Sequence, residues 1–194
     1  IMFSGIITDL GKIIFFDLNT KTIEINTNLK DLFLGQSISC SGVCLTVAKV
    51  KNKSFLSNLS EETILKTNLN QKSVGDILNL EKSLKLGDEI NGHLVYGHVD
   101  ETCKLKSIEK LNGSNVLTFT LSSNTRKYLA PKCSISIDGI SLTVNRVLKD
   151  SFNISIIPYT WENTSLKNSK IGDMFNIEID MLARYVHKAL KNEK

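Results

Sequence analysis

The chain is poor in the residues that mark several common protein classes. Two prolines and eleven glycines in 194 residues are too few for a low-complexity linker. No stretch approaches the roughly 18 uninterrupted apolar residues of a membrane helix. The opening IMFSGIITDLGKIIFF lacks the basic region and small-residue cleavage site of a signal peptide. Ile1 ahead of Met2 reads as an addition to the natural start. Aromatic residues make up 7%, and the net charge of +4 comes from lysines scattered among asparagines. A nucleic-acid protein would gather such charge into a stripe interleaved with aromatics, so neither nucleic acid nor membrane is an expected partner. The four cysteines, Cys40, Cys44, Cys103 and Cys133, form no CxxC pair and have no histidine at zinc-finger spacing. Reduced thiols in a cytoplasmic protein, with no metal site, follow from that. What the chain does have is 41% hydrophobic residues, enough for a real core.

Those residues are written twice. GQSISCSGVCLTVAKV from Gly35 lies over KCSISIDGISLTVNRV from Lys132 at a displacement of 97 residues, which sets Cys44 on Ser141. The match runs without a gap through Phe55 on Phe152, Thr63 on Thr160 and Thr67 on Thr164, to Gly75-Asp76 on Gly172-Asp173. A weaker echo sets SGIITDLGKI, Ser4 to Ile13, on YGHVDETCKL, Tyr96 to Leu105, at a displacement of 92. Two tandem domains follow, 1–93 and 94–180, with a distinct tail over 181–194.

Each copy is a string of short strands. In ISLTVNRV, Leu142 and Val144 face one way and Ser141 and Thr143 the other, the alternation of a half-buried strand. Leu45 and Val47 against Cys44 and Thr46 repeat it. SEETILKTNL is different: Ser60 is placed to cap a short helix with Thr63 and Thr67 on one side, and YTWENTSL, from Tyr159, repeats the pattern. Several strands plus one small helix per copy predict a closed antiparallel barrel, which also removes exposed strand edges. In the tail, Met181, Leu182, Tyr185, Val186, Ala189 and Leu190 recur at helical spacing on one face. Asp180 stands where an N-cap belongs, and Lys188 and Lys191 suit the C-terminal end of the helix dipole.

MFSGII from Met2, SGVCLTV, GHLVYGHVD, DGISLTV and IEID, in this order on a duplicated chain, resemble the riboflavin synthase family nearly end to end. The resemblance implies an all-β fold: two tandem six-stranded antiparallel Greek-key barrels related by internal duplication, plus a C-terminal α-helix. It implies a homotrimer held partly by those helices, with the N-terminal barrel of one subunit facing the C-terminal barrel of a neighbour. It also implies a transferase acting at the last step of riboflavin formation. Two molecules of 6,7-dimethyl-8-ribityllumazine exchange a four-carbon unit, giving riboflavin and 5-amino-6-(D-ribitylamino)uracil. No cofactor is needed, because the C7 methyl of the lumazine is itself acidic. Lumazine synthase is a candidate partner. The pattern departs from the family at Ser4, where threonine is usual, at Cys103, where glycine is common, and at Tyr159, which replaces histidine or glutamate.

Four residues carry the expected chemistry. Ser141 matches the family serine that assists at C7, and Cys44 is its counterpart thiol in the first copy. His98, in YGHVD, is the expected proton carrier, since imidazole titrates near neutrality. Asp180 matches the acid of IEID and is also a helix cap. His93 is expected to orient its loop, and His187 to lie at the surface or a subunit contact. Ring recognition carries over to Phe3, Ser4, Gly5, Ile6, Leu45, Thr46, Asn58, Ser60 and Thr63. On the second side it carries over to Gly97, Val99, Lys132, Leu142, Thr143, Ile157, Tyr159 and Thr160. A rival reading is a non-catalytic lumazine- or flavin-binding antenna of the same fold, which would have no reason to keep Cys44, His98, Ser141 and Asp180 together. A flavin-binding oxidoreductase barrel would need a nucleotide domain with a GxGxxG turn, and the chain has none. A plain oligomerisation scaffold explains none of the motif positions.

Overall fold

A computed structural model describes residues 2–192. Ile1, and positions 193 and 194 of the expected tail, lie outside the described residues. The first barrel is built from β1 (Asp9–Asp17), β2 (Thr22–Asn26), β3 (Ser37–Cys40), β4 (Val43–Lys51), β5 (Ser54–Asn58) and β6 (Ile77–Lys82), closed in the order β1-β2-β5-β4-β3-β6. The second uses β7 (Glu101–Leu111), β8 (Ser114–Thr120), β9 (Ser134–Ile137), β10 (Ile140–Val147), β11 (Ser151–Ile156) and β12 (Met174–Ile179). Its order, β7-β8-β11-β10-β9-β12, is the first raised by six, and every pairing in both is antiparallel. The short helices are α1 (Glu61–Lys66), α2 (Ser123–Arg126) and α3 (Pro158–Asn163), and α4 (Met181–Asn192) ends the fold.

The strands close because the pleat sends alternate side chains inward. Leu45 and Val47 are buried while Thr46 is exposed, and Val144 is buried with Leu142 half-buried against the same core. Register shifts at Ile13/Phe15 and Val47/Lys49 recur at Leu105/Ser107 and Val144/Arg146. Such bulges bend a strand and raise its twist, which a small barrel needs at its corners. Each barrel fills its own interior, the first around Ile25, Ile38, Phe55 and Leu80, the second around Leu105, Ile137, Phe152 and Ile177. Fully burying such a side chain contributes about 1.5–3 kcal/mol relative to leaving it exposed.

The barrels meet about a pseudo-twofold axis. The turns Ser41-Gly42 and Asp138-Gly139 have positive φ at both positions (46° and 79°, 44° and 80°), the geometry that suits two-residue hairpins. These turns lie back to back: a Cβ on Gly42 would come within 2.7 Å of the Gly139 nitrogen, and one on Gly139 equally close to Gly42. Around them the hydrogen bonds are reciprocal. Asn79 Nδ2 donates to the Asp138 carbonyl at 2.9 Å and Asn176 Nδ2 to the Ser41 carbonyl at 2.8 Å. The Ser165 amide donates to Asn79 Oδ1 and the Asn68 amide to Asn176 Oδ1, each at 2.7 Å. Phe3 and Val95 complete the axis with an antiparallel bridge, N–H to O at 2.7 and 3.0 Å. Among the described residues no helix is long and apolar enough to cross a membrane.

Candidate active site

Two seats follow from the duplication, each on the outward face of one strand. On the first, Cys44 is the second residue of β4, half-buried and pointing away from the core that takes Val43 and Leu45. Ser60 caps α1 by accepting the Thr63 amide at 3.0 Å, and its hydroxyl lies 2.9 Å from Thr63 Oγ1. Cys44, Ser60, Thr63, Gly97, His98 and Val99 line one cavity of about 360 Å³, together with Lys66 and Thr67. Burial pushes the Cys44 thiol up from its ordinary value, against a hydrogen bond with Ser37, so it enters neutral solution protonated.

The roof of this seat comes from the chain entering the second barrel. The Cys44 amide donates to the Gly97 carbonyl at 2.9 Å. Gly97 has φ +75°, and a Cβ there would lie 2.6 Å from Cys44 Cβ, so only glycine fits. The second seat reverses the relation. The Ser141 amide donates to the Gly5 carbonyl at 2.8 Å, Gly5 has φ +76°, and a Cβ on it would lie 2.6 Å from Ser141 Cβ. Segments Phe3–Ile6 and 95–98 are therefore straps, each laid across the opposite barrel.

Two buried carboxylates hold the straps. Glu81 accepts the Ser4 amide and hydroxyl, both at 2.7 Å, and the Gly5 amide at 2.9 Å. Glu178 accepts the Tyr96 amide at 2.6 Å and the His98 amide at 2.9 Å. Burial raises the pKa of both acids, and the amide donors work against that rise. These glutamates were not among the expected site residues, although NLEK and NIEI carry them at the repeat displacement of 97. A carboxylate kept at the same strand position in both copies, on the face opposite the core residues, is a signal that could have found them.

The structure brings other expected residues together less evenly. Leu45 is buried in the first core, so it can meet a ligand only through its backbone. Thr46, Asn58, Ile157 and Tyr159 are exposed, and Thr160 is half-buried on α3. Ile157 and Thr160 stand where Ser60 and Thr63 stand in the first copy, so α3 gives the second seat a more apolar edge. Phe3 is fully buried in the inter-strap bridge and Ile6 is exposed. Thr143 is exposed next to half-buried Leu142 on β10. Lys132 holds φ +74° where the first copy has Gly35 at +82°, a left-handed backbone that lysine adopts at a cost.

Two of the histidines divide between the seats. His98 lies at the first seat with Cys44, whereas His93 reaches the second: its Nδ1 is 2.7 Å from Ser141 Oγ. His187 packs edge-on against Tyr128 of its own chain, ring centroids 5.0 Å apart. Asp180 does cap α4, accepting the Leu182 amide at 2.9 Å, and its charge also acts on His93 and Cys133. All four cysteines are free, and among the described residues no group of three or more His, Cys, Asp or Glu side chains gathers to hold a metal ion.

The chain matches the family described as lumazine binding domain twice, over residues 4–83 and 96–180. It is 36% identical over 198 residues to the riboflavin synthase of Photobacterium phosphoreum, covering 100% of this chain and 91% of that one. Identity to the riboflavin synthase of Brucella abortus (strain 2308) is 40% over 204 residues, covering 100% of both. The riboflavin synthase of Bacillus subtilis (strain 168) is 34% identical over 200 residues, 99% of this chain and 93% of that one. Among solved structures, LumP complexed with 6,7-dimethyl-8-(1'-D-ribityl) lumazine superposes at a TM-score of 0.81, with 19% identity, over 91% of this chain and 98% of that one. LumP complexed with riboflavin gives 0.83 at 18% identity, over 92% and 99%. At that identity the likeness to LumP concerns the fold.

Proposed function

The chain belongs to the riboflavin synthase family, and from that premise we propose how its two seats divide the work. It is a transferase: one 6,7-dimethyl-8-ribityllumazine gives a four-carbon unit to another, yielding riboflavin and 5-amino-6-(D-ribitylamino)uracil. The observation that carries the reading is the pair of equivalent seats at Cys44 and Ser141, each roofed by a glycine strap from the opposite barrel. A reaction between two identical molecules calls for two such seats. Holding both rings in contact can itself supply an effective molarity of roughly 10⁵ M or more.

In this proposal Cys44 and His98 attend the lumazine on the first barrel, His98 as proton carrier beside a neutral thiol. Ser141 attends C7 of the lumazine on the second barrel, and Asp180 supplies negative charge from the end of β12. Gly5, Ile6, Lys132, Leu142, Thr143, Ile157, Tyr159 and Thr160 surround the second ring, and Leu45, Thr46, Asn58, Ser60, Thr63, Gly97 and Val99 the first. Phe3 and Ser4 set the straps. The division into 1–93, 94–180 and 181–194 is part of this reading, supported by the separate cores. We take the working form to be a cytoplasmic homotrimer, with the first seat of one subunit facing the second seat of its neighbour and lumazine synthase as a candidate partner. The exposed Leu182, Tyr185, Val186 and Leu190 on α4 support such an assembly.

The test is direct. Purified protein given 6,7-dimethyl-8-ribityllumazine, with no added cofactor, should form one riboflavin for every two lumazines consumed, read by flavin absorbance and fluorescence. Lumazine binding without flavin formation across a range of pH would leave the antenna reading instead.

A further inference from the structure

Gly92 lies where the chain joining the barrels packs against the first strap. A Cβ there would come within 2.1 Å of the Ser4 carbonyl oxygen and 2.7 Å of Ser141 Cβ, so the packing admits glycine alone. Beyond Gly92 the chain is pinned at once, the His93 amide donating to the Ser4 carbonyl at 3.1 Å and Val95 bridging Phe3. Ahead of it the chain is loose. Residues 85–91 are exposed, and among the described residues 89–92 make no backbone hydrogen bond. Asn91 shares an open cavity of about 570 Å³ with Ser4, Ile6, Glu81, Asp88 and Glu89. An asparagine free to swing thus precedes an unbonded amide with no side chain to shield it.

We infer that Asn91–Gly92 is a self-modification site, at which conversion of Asn91 to isoaspartate loosens the first strap and inactivates the second seat. The Gly92 nitrogen attacks Asn91 Cγ and forms an N–C bond. The side-chain nitrogen leaves as ammonia, taking the Gly92 amide proton. Water then opens the resulting succinimide at the Asn91 main-chain carbonyl, which becomes a free carboxylate, and the chain runs on through Cγ. The balance is one water taken up and one ammonia lost, with no change of oxidation state. The fit that requires glycine at 92 is what exposes Asn91 to this reaction, because a side chain there would crowd the ring closure.

Two changes reach the strap. One extra carbon enters the backbone next to Gly92, whose neighbours leave it no slack. Misplacement on the order of 1 Å near a reacting group can cost roughly 10²-fold in rate. The freed carboxylate also joins Glu81, Asp88 and Glu89 on the cavity wall, and Glu81 is the acid that holds Ser4 and Gly5. The chain carries a second such pair, Asn112–Gly113, at the β7–β8 turn that the pairing of Leu111 with Ser114 holds. A Cβ on Gly113 meets nothing within 4 Å, so conversion there leaves the packing intact.

Ageing the intact protein at mildly alkaline pH, with samples digested by trypsin, tests the inference. Peptide 86–104 has Asn91 as its only asparagine, so a gain of one mass unit with an isoaspartate signature reports on that residue alone. Peptide 111–126 carries Asn112 as the comparison. Turnover should fall in step with isoaspartate at 91, the converted fraction being slower by roughly 10²-fold. Asn91→Gln should start at the wild-type rate and hold it through the same period, while Asn112 still converts. Asn91 left intact as Asn112 converts, isoaspartate at 91 with turnover undiminished, or equal decay of Asn91→Gln would each overturn the inference. The loss of turnover rests on the functional reading given above, whereas the modification does not. Fresh protein that makes no flavin refutes that reading, and riboflavin affinity then serves as the measured loss.

Discussion

At the meeting of the barrels, Asp138 shows how one residue breaks a symmetric design. Its counterpart by the repeat is Ser41, and both occupy left-handed turn positions, φ 44° and 46°. Asp138 Oδ1 accepts the Asn176 amide at 2.7 Å and Asn68 Nδ2 at 3.1 Å, inside the interface. Burial drives its pKa up to about 7, only partly opposed by Lys72 and those hydrogen bonds. The folded protein therefore binds a proton between roughly pH 4 and 7 that the unfolded chain has released. That stability is fully present below the unfolded value and is lost as pH rises through about 7. Asp138→Asn should remove the loss, since asparagine keeps the accepting oxygen and tolerates positive φ. Urea midpoints measured from pH 4 to 8 should fall across this range in the wild type and stay nearer level in the variant. The gap at pH 8 is bounded at about 4 kcal/mol by roughly three pKa units. A variant with the same pH slope as the wild type would show that Asp138 does not titrate in the fold.

Among the elements, α4 joins chemistry to assembly. Asp100 accepts the Ile179 amide at 2.9 Å and pairs with Arg184, tying the end of β12 to the first turns of the helix. Asp180 sits beside this clamp, capping the helix while its charge raises the pKa of His93. Asparagine caps as well as aspartate, whereas alanine at such a position costs about 1 kcal/mol. Asp180→Asn should therefore unfold at the wild-type midpoint while losing turnover tenfold or more, and Asp180→Ala should lose both. Equal activity of the wild type and Asp180→Asn would reduce Asp180 to its cap. Strand alternation, the helix at Ser60 and the cap at Asp180 were all legible in the sequence, because each depends on residues within a few positions. The repeat extended that legibility to barrel pairing. The straps were not legible: Gly5 on Ser141, Gly97 on Cys44 and His93 on Ser141 join positions 136, 53 and 48 residues apart. The proximity of His98 to its motif said which loop it rides, not which seat that loop covers. Glu81 and Glu178 escaped notice because an acid on a strand ordinarily reads as a solvated residue.

The whole molecule can be viewed as two barrels that have traded roofs, and cutting it tests that description. A fragment ending at Leu86 keeps all six strands of the first barrel and its enclosed core, so it should fold. It lacks the strap with Gly97 and His98 that covers Cys44, while its own strap, Phe3 to Ile6, has lost Ser141 as a landing place. The two vacancies are complementary by the duplication. Gly5 of one copy can accept from the Cys44 amide of another as Gly97 does in the intact chain, and two Phe3 backbones can pair as Phe3 and Val95 now do. The fragment should sediment as a dimer and bind one riboflavin or lumazine per chain, measured by fluorescence titration. It should not turn lumazine over, because His93, His98, Ser141 and Asp180 lie past the cut. Gly5→Ala in the fragment should weaken dimerisation and ligand binding together, since the added Cβ meets the floor beneath it at van der Waals overlap (2.6 Å in the intact chain). A folded, monomeric fragment with undiminished affinity would mean that the seat needs no strap at all. Turnover near that of the intact chain would mean instead that the residues past the cut carry none of the chemistry.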